Sequence, residues 1–391
     1  MKKNSFRIIK GVLLVYLLVT VLLPIIMLFS QIRGEHIETI FTSAQFLPML
    51  KNSLITTVAA TVISVVLAFV LAYVINRTNV RFKSVWMVLF TVPMLIPSIS
   101  HGMGLVLLFG DNGLLTNLLG LSIDLYGYTG IIMGSVLYSF PVAFLMFFDS
   151  LQYEDYTTYE AAEVLGLSKW RQFMTITMPS MERTIVSAVL AVFTMVFTDY
   201  GVPLMTGGTV MTLPVYMYRE VIGMMNFSGG AVIGVVLLAP AVIAFLGDLK
   251  KSNASGASST VVKAFQIKEN ATRDKLAYVF LVLSFFIMCL PIIGFVCLSF
   301  VKQYPIDMSF TFDNITRLIS NGIGMYFVNS IAVALLTALI GTCLSYFAAY
   351  CTSRAKKKLS NQVLHFMSML PLAFPGVVLG LSYVMTFKNF P

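Results

Sequence analysis

Charge is scarce in this chain. Only 11% of its 391 residues are Asp, Glu, Lys or Arg, against roughly 25% in a soluble domain. That scarcity excludes an ordinary water-exposed globule. Histidine is scarce too: His36, His101 and His365 lie far apart in sequence, and no metal site is expected from them. The four cysteines, Cys289, Cys297, Cys343 and Cys351, fall in or at the end of apolar runs. They lack C-x-x-C spacing and read as small core residues. The dipeptide Gly-Lys does not occur, so the phosphate-cradling G-x4-G-K-[ST] loop is missing. Nothing matches H-E-x-x-H or a nucleophile elbow. The chain is therefore expected to be no enzyme and to hydrolyse no ATP itself.

Apolar residues are what the chain has in excess. They make up 58% of it, and mean hydropathy is +0.88. A bilayer core of about 30 Å takes about 20 apolar residues per helix, and backbone groups there must bond internally. An all-α membrane protein, a polytopic helical bundle, follows. Nine spans are expected, at 12–31, 54–75, 85–109, 129–148, 184–199, 230–247, 276–300, 326–351 and 361–386. The first is longer than a signal-peptide core and no small-x-small site follows it, so it reads as a retained helix.

Basic residues set the orientation. With the N-terminus inside, the cytoplasmic segments 1–11, 76–84, 149–183, 248–275 and 352–360 hold twenty of the 26 Lys and Arg. The net charge of +9 is thus a topology signal, and no nucleic-acid partner is expected. The lipid bilayer is the first partner.

The chain also repeats itself. Asn52-Ser53, Ala72-Tyr73 and Arg77 recur as Asn329-Ser330, Ala349-Tyr350 and Arg354. Pro93 and Pro97 recur as Pro371 and Pro375, and Leu23-Pro24-Ile25-Ile26 as Leu290-Pro291-Ile292-Ile293. Six spans separate the copies, so the repeats are parallel. The expected division is a first unit over 1–247, a cytoplasmic linker over 248–275 and a second unit over 276–391. The linker carries a Ser/Gly/Asn-rich polar run that reads as flexible. A counterpart of the 149–183 loop is not reached before Pro391, so the second unit reads as incomplete and the chain as a fragment.

That loop carries the most specific pattern in the chain. Glu160-Ala161-Ala162, then Gly166, then Ile176-Thr177-Met178-Pro179, reads E-A-A-x3-G-x9-I-x-M-P. Thr157 and Glu160 form a T-x-x-E capping pattern. Gly166 permits a left-handed turn, Ser168 caps a second short helix, and Pro179 is expected to close it. The acids Glu154, Asp155, Glu160, Glu163 and Glu182 outnumber Lys169, Arg171 and Arg183. That balance suits a protein partner better than an anionic lipid surface.

The pattern resembles the cytoplasmic coupling loop of the membrane subunits of binding-protein-dependent ATP-binding-cassette (ABC) importers, with Met178 where the usual form has Leu. Two such units in one polypeptide resemble the fused permeases of the iron(III), 2-aminoethylphosphonate and spermidine/putrescine-like branch. Asp199-Tyr200-Gly201-Val202-Pro203 with Gly207-Gly208 also looks like that branch. The resemblance implies a permease in a bacterial plasma membrane, importing a small solute. It implies a cytoplasmic ABC ATPase dimer, which uses the ATP and Mg, and an extracytoplasmic solute-binding protein. Glu160, Ala161, Ala162, Gly166, Ile176 and Pro179 would form the ATPase-coupling element.

Weaker patterns give candidate pathway or gate residues. Pro93 with Pro97, and Pro371 with Pro375, interrupt helices that either frame a pathway or merely set packing angles. Asp199, at a span's edge, is either a gate or a solvated helix end. Gly230-x3-Gly234 is a candidate close-packing face. A secondary transporter also accommodates parallel repeats, but it would be expected to show ion-coupling acids deep in its spans. Those interiors are nearly free of charge.

Overall fold

The structure, a computed structural model, describes residues 3–120, 123–252, 263, 265–353, 359–373 and 376–388. The linker run 253–259, Arg354 and Pro375 lie outside the described residues. The chain is helical almost throughout. Among the described residues a single two-stranded antiparallel ribbon, Val301–Gln303 with Asp307–Phe310, is the only sheet.

Seven described helices are long and apolar enough to cross a membrane. The expected spans 230–247 and 361–386 are not among them. The first lies within helix Phe227–Ser252. The second is described as helices Leu359–Ala373, which contains Pro371, and Gly376–Phe387. The span expected over 85–109 is broken at its prolines. Lys83–Thr91 tightens into a 3-10 turn, Val92–Leu95, before Ser98–Phe109 begins. Proline supplies no amide to the i→i−4 ladder, so here the helix re-forms only beyond Pro97.

The chain divides into two compact units. One comprises Ala44–Tyr216 and Ala239–Cys297. Its axis is the pair Phe46–Arg77 and Tyr128–Gln152, with Met178–Phe197 packed on both. Ala60, Ala68 and Ala72 are fully buried there, and small residues let helix backbones approach. Between those alanines the Ser64 and Ser139 hydroxyls bond at 3.0 Å. A phenylalanine cluster, Phe90, Phe140, Phe144 and Phe147, fills the adjoining space with no exposed surface. Helix Ala271–Ser299 contributes Leu281 and Met288 to this core.

The other unit comprises Met1–Ser43, Met217–Leu238 and Leu298–Pro391. Leu13, Cys351 and Leu364 make a small core in it, and Lys10 donates to Ser360 Oγ at 2.6 Å and to Asn361. The Gly230-x3-Gly234 face is closely packed: a Cβ on Gly234 would meet Val378 at 3.4 Å, and one on Gly230 would overlap Val221. All four cysteines are free.

Candidate functional site

The loop between helices Tyr128–Gln152 and Met178–Phe197 folds as a short helix, a turn and a rising helix. Helix Thr157–Val164 opens it. The expected Thr157 cap is not made. Asp155 does that work instead, accepting from the Thr157 amide at 3.1 Å and from its hydroxyl at 2.7 Å. A carboxylate two residues upstream is a stronger acceptor for a helix N-terminus than a hydroxyl. Thr157 is thereby drawn inside the helix.

The helix stops at Gly166, whose φ of +72° is left-handed. Its amide bonds Glu163 O and the next amide bonds Ala162 O, both at 3.0 Å, closing the orphan carbonyls. Ser168 then caps the next turn, accepting from the Arg171 amide at 3.4 Å. Pro179 does not close the second helix. It sits at the start of Met178–Phe197, directly after a π turn whose wider ladder takes up the missing amide. A π turn over Phe173–Thr177 joins Lys169–Gln172 to that helix without a break. Lys169–Phe197 is one 29-residue helical run.

The motif residues divide by exposure. Ala162 is buried, Glu160 and Ile176 are half-buried, and Ala161, Gly166 and Pro179 are exposed. Around Gly166 the apolar side chains point outward: Val164 is 89% exposed, Leu165 77% and Trp170 67%. Three large apolar groups on a polar loop form a patch that a partner would cover.

Beneath the loop lies a pair that sequence reasoning missed. Arg77 and Glu154 form a salt bridge with side chains 8% and 7% exposed. Glu154 also accepts from Ser180 Oγ at 2.6 Å, and Arg77 donates to Leu151 O at 3.4 Å. Tyr159 and Thr177 hydroxyls meet at 2.7 Å and tie the two halves of the loop. Burial pushes the Tyr159 hydroxyl up to about 12, so it remains a neutral hydrogen-bonding group at physiological pH. The only sequence signal for the pair was the recurrence of Arg77 at 354. Glu154 stood as one acid among five.

Charges on the loop's other flank are matched as well. Glu163 accepts from Lys169 at 2.5 Å and from Lys268 at 3.0 Å. Those bonds hold the carboxyl below its ordinary range, and Glu163 in turn holds Lys268 above the usual lysine value. A depressed carboxyl contributes above about pH 4 and a raised lysine below about pH 10. The pairing is lost only as pH falls through the first value or rises through the second, so it is constant across the neutral range.

Of the weaker candidates, Pro97 and Asp199 come together. Pro93 lies in the 3-10 turn and Pro97 caps Ser98–Phe109. Ser98 donates to Asp199 at 2.6 Å. Asp199 also accepts from the Gly201 and Val202 amides, at 3.3 and 3.0 Å. It is half-buried and no free solvated end: it caps the short helix Gly201–Thr206, which nests against Ser98–Phe109. A narrow crevice there is lined by Ser53, Thr56, Ser135, Asp199 and Thr212 together with apolar side chains such as Phe197. Asp199→Ala is expected to destabilise the protein by about 0.5–2 kcal/mol, the cost of a lost helix cap. Thermal melting in detergent measures it, and Asp199→Asn should recover most of the loss. Pro371 is half-buried within Leu359–Ala373.

Residues 64–248 match the family of the binding-protein-dependent transport system inner membrane component. That stretch, just under half of the chain, carries the membrane-component domain of binding-protein-dependent importers, and the permease relatives support the same assignment. Among relatives of this permease is a ferric transport system permease protein of Actinobacillus pleuropneumoniae. It is 24% identical over 318 residues, 77% of this chain and 46% of the relative. A putative ferric transport system permease protein of Haemophilus influenzae is 22% identical over 91% of this chain and 58% of its own length. The thiamine transport system permease protein of Escherichia coli is 21% identical over 77% of the chain and 56% of the relative. The permease chain thus spans about half the length of the curated relatives it matches. A chain of the bacterial alginate ABC transporter, solved with a pentasaccharide-bound periplasmic protein, shares the fold. Its TM-score is 0.53 at 16% identity, covering 63% of this permease and 93% of that chain.

Proposed function

We propose that the permease is the translocation subunit of an ATP-driven importer, coupled to separate ATPase subunits through the Glu160–Pro179 loop. The carrying observation is the outward apolar patch of Val164, Leu165 and Trp170 around a left-handed Gly166. Such a patch fits a groove on a partner, in helix-in-groove fashion. In this reading the N-terminus and the loop face the cytoplasm, where an ATPase dimer uses ATP and Mg. A solute-binding protein delivers cargo on the other side. Closure of the ATPase moves the loop, and the helices alternate access. Asp199, Pro93, Pro97, Pro371 and Pro375 are then the candidate pathway residues.

The ferric relatives favour an iron(III) cargo. Titration of the cognate binding protein with iron(III), aminophosphonates, thiamine and polyamines decides between the classes. The coupling itself is tested by Gly166→Val. No atom crowds Gly166, so its substitution acts through backbone alone. A left-handed L-residue costs roughly 1–2 kcal/mol, more for a β-branched one. The expected result is normal membrane insertion with loss of solute-stimulated ATP hydrolysis in the assembled complex. Hydrolysis at the wild-type level would refute the coupling role.

A further inference from the structure

The described end of the linker, residues 263 and 265–270, does not hang free. Lys263 O accepts from the Tyr156 amide at 3.0 Å, and the Lys263 amide donates to Asp155 at 3.3 Å. Lys263 Nζ pairs with Glu160, and Lys268 Nζ pairs with Glu163 at 3.0 Å. Between these ends the Phe265 ring meets Tyr156 and Tyr159 edge-on, both at 5.0 Å. The Arg77 guanidinium lies over the same ring, 3.6 Å from its centre. Phe265 is therefore the lid on the buried Arg77–Glu154 pair and the floor-stop of helix Thr157–Val164. Beyond it, Lys268 O accepts from Arg273 at 2.9 Å, and Asp274 accepts from the Asn79 amide at 3.2 Å. The segment thus runs from the loop straight into helix Ala271–Ser299.

We propose that Lys263, Phe265 and Lys268 form a clamp on the coupling helix, with Phe265 as a positioning residue. The clamp holds Thr157–Val164 against the Arg77–Glu154 pair and links it to the first helix of the second repeat. It grips the flank of Tyr156, Tyr159, Glu160 and Glu163 and leaves Val164, Leu165 and Trp170 open. Clamp and partner therefore occupy different faces, and a docked partner would push against a seated helix. This role rests on the coupling reading above, but its seat is testable without it.

The chemistry explains why aromatic rings serve here. Edge-to-face pairs and a cation over a ring need no proton exchange and tolerate small sliding motions. Two such ring pairs and one guanidinium contact correspond to at least about a tenfold shift in a local opening equilibrium.

The experiment uses the full chain in its complex with ATPase and binding protein, in proteoliposomes. Hydrogen exchange of the 161–167 amides is compared for wild type, Phe265→Ala and Phe265→Tyr. Phe265→Ala is expected to raise exchange about tenfold and to lower the number of solutes moved per ATP hydrolysed. Phe265→Tyr is expected to restore both. Unchanged exchange overturns the clamp. Faster exchange with an unchanged solute-to-ATP ratio overturns the positioning role, because a contact with a merely structural role would lower yield and leave the ratio alone. If the wild-type complex shows no solute-stimulated hydrolysis, the coupling reading fails, and the exchange arm still decides the clamp. Should Phe265→Ala not accumulate, Lys263→Gln/Lys268→Gln removes only surface pairs. It is expected to raise exchange by roughly two- to fivefold, and no change there also overturns the clamp.

Discussion

Arg77→Met is expected to remove about 3–5 kcal/mol of stability, the largest loss available outside the apolar core. The substitution keeps the length of the side chain and deletes its charge. Glu154 is then left 7% exposed and without its main partner. Taking a carboxylate out of water without compensation costs far more than the pair itself contributes. The Ser180 hydroxyl, at 2.6 Å, is one donor and cannot replace a guanidinium. The rings of Phe265 and Tyr159 beside Arg77 would also lose their cation. The fraction of protein surviving heat in detergent reads the effect. Arg77→Met/Glu154→Leu should recover more than half of the loss, because the double change leaves no orphan charge. Equal losses in single and double variants would show that packing, and not charge, is what the pair supplies.

Gly104→Val is the second large effect. A Cβ at Gly104 would lie 2.4 Å from the Pro291 carbonyl oxygen and 2.8 Å from its carbonyl carbon. Both are backbone atoms within helix Ala271–Ser299 and cannot swing aside. Helices Ser98–Phe109 and Ala271–Ser299 must separate, and Leu108, which a Cβ at Gly294 would overlap at 2.6 Å, loses its seat. Overpacking of this kind costs about 1–3 kcal/mol or more, so a β-branched residue here is expected to lower the yield of folded protein several-fold. The control is Gly34→Ala, which has no atom within 4 Å and should leave yield unchanged. Folded yield after detergent extraction, followed by size-exclusion chromatography, compares the two.

Much of this could be read from residues alone. Apolar runs and the basic-residue bias pointed to a helical membrane bundle. The proline pairs forecast broken helices, and the first pair breaks one between Thr91 and Ser98. Gly166 was legible because only a left-handed turn needs glycine at that place. Other features were not legible, for particular reasons. Thr157 looked like a cap, but the better acceptor, Asp155, stood just outside the pattern. Pro179 looked like a stop, yet proline is equally at home in a first helical turn, and sequence does not say which end it marks. The Arg77–Glu154 pair spans 77 residues and appears only once two helices have packed. Phe265 sat at the end of a stretch whose polar composition suggested nothing but a spacer. Composition averages over a segment, whereas one ring in the right place decides what that segment does.

The unbroken run from Lys169 to Phe197 has a mechanical corollary. At 1.5 Å per residue it is about 43 Å long, and the π turn with Pro179 beside it is the place where such a run bends. The far tip lies just before Asp199, where Ser98 is held at 2.6 Å. One continuous helix therefore joins the surface that carries Trp170 to the neighbourhood of Asp199, and any tilt beyond the bend is felt at both ends.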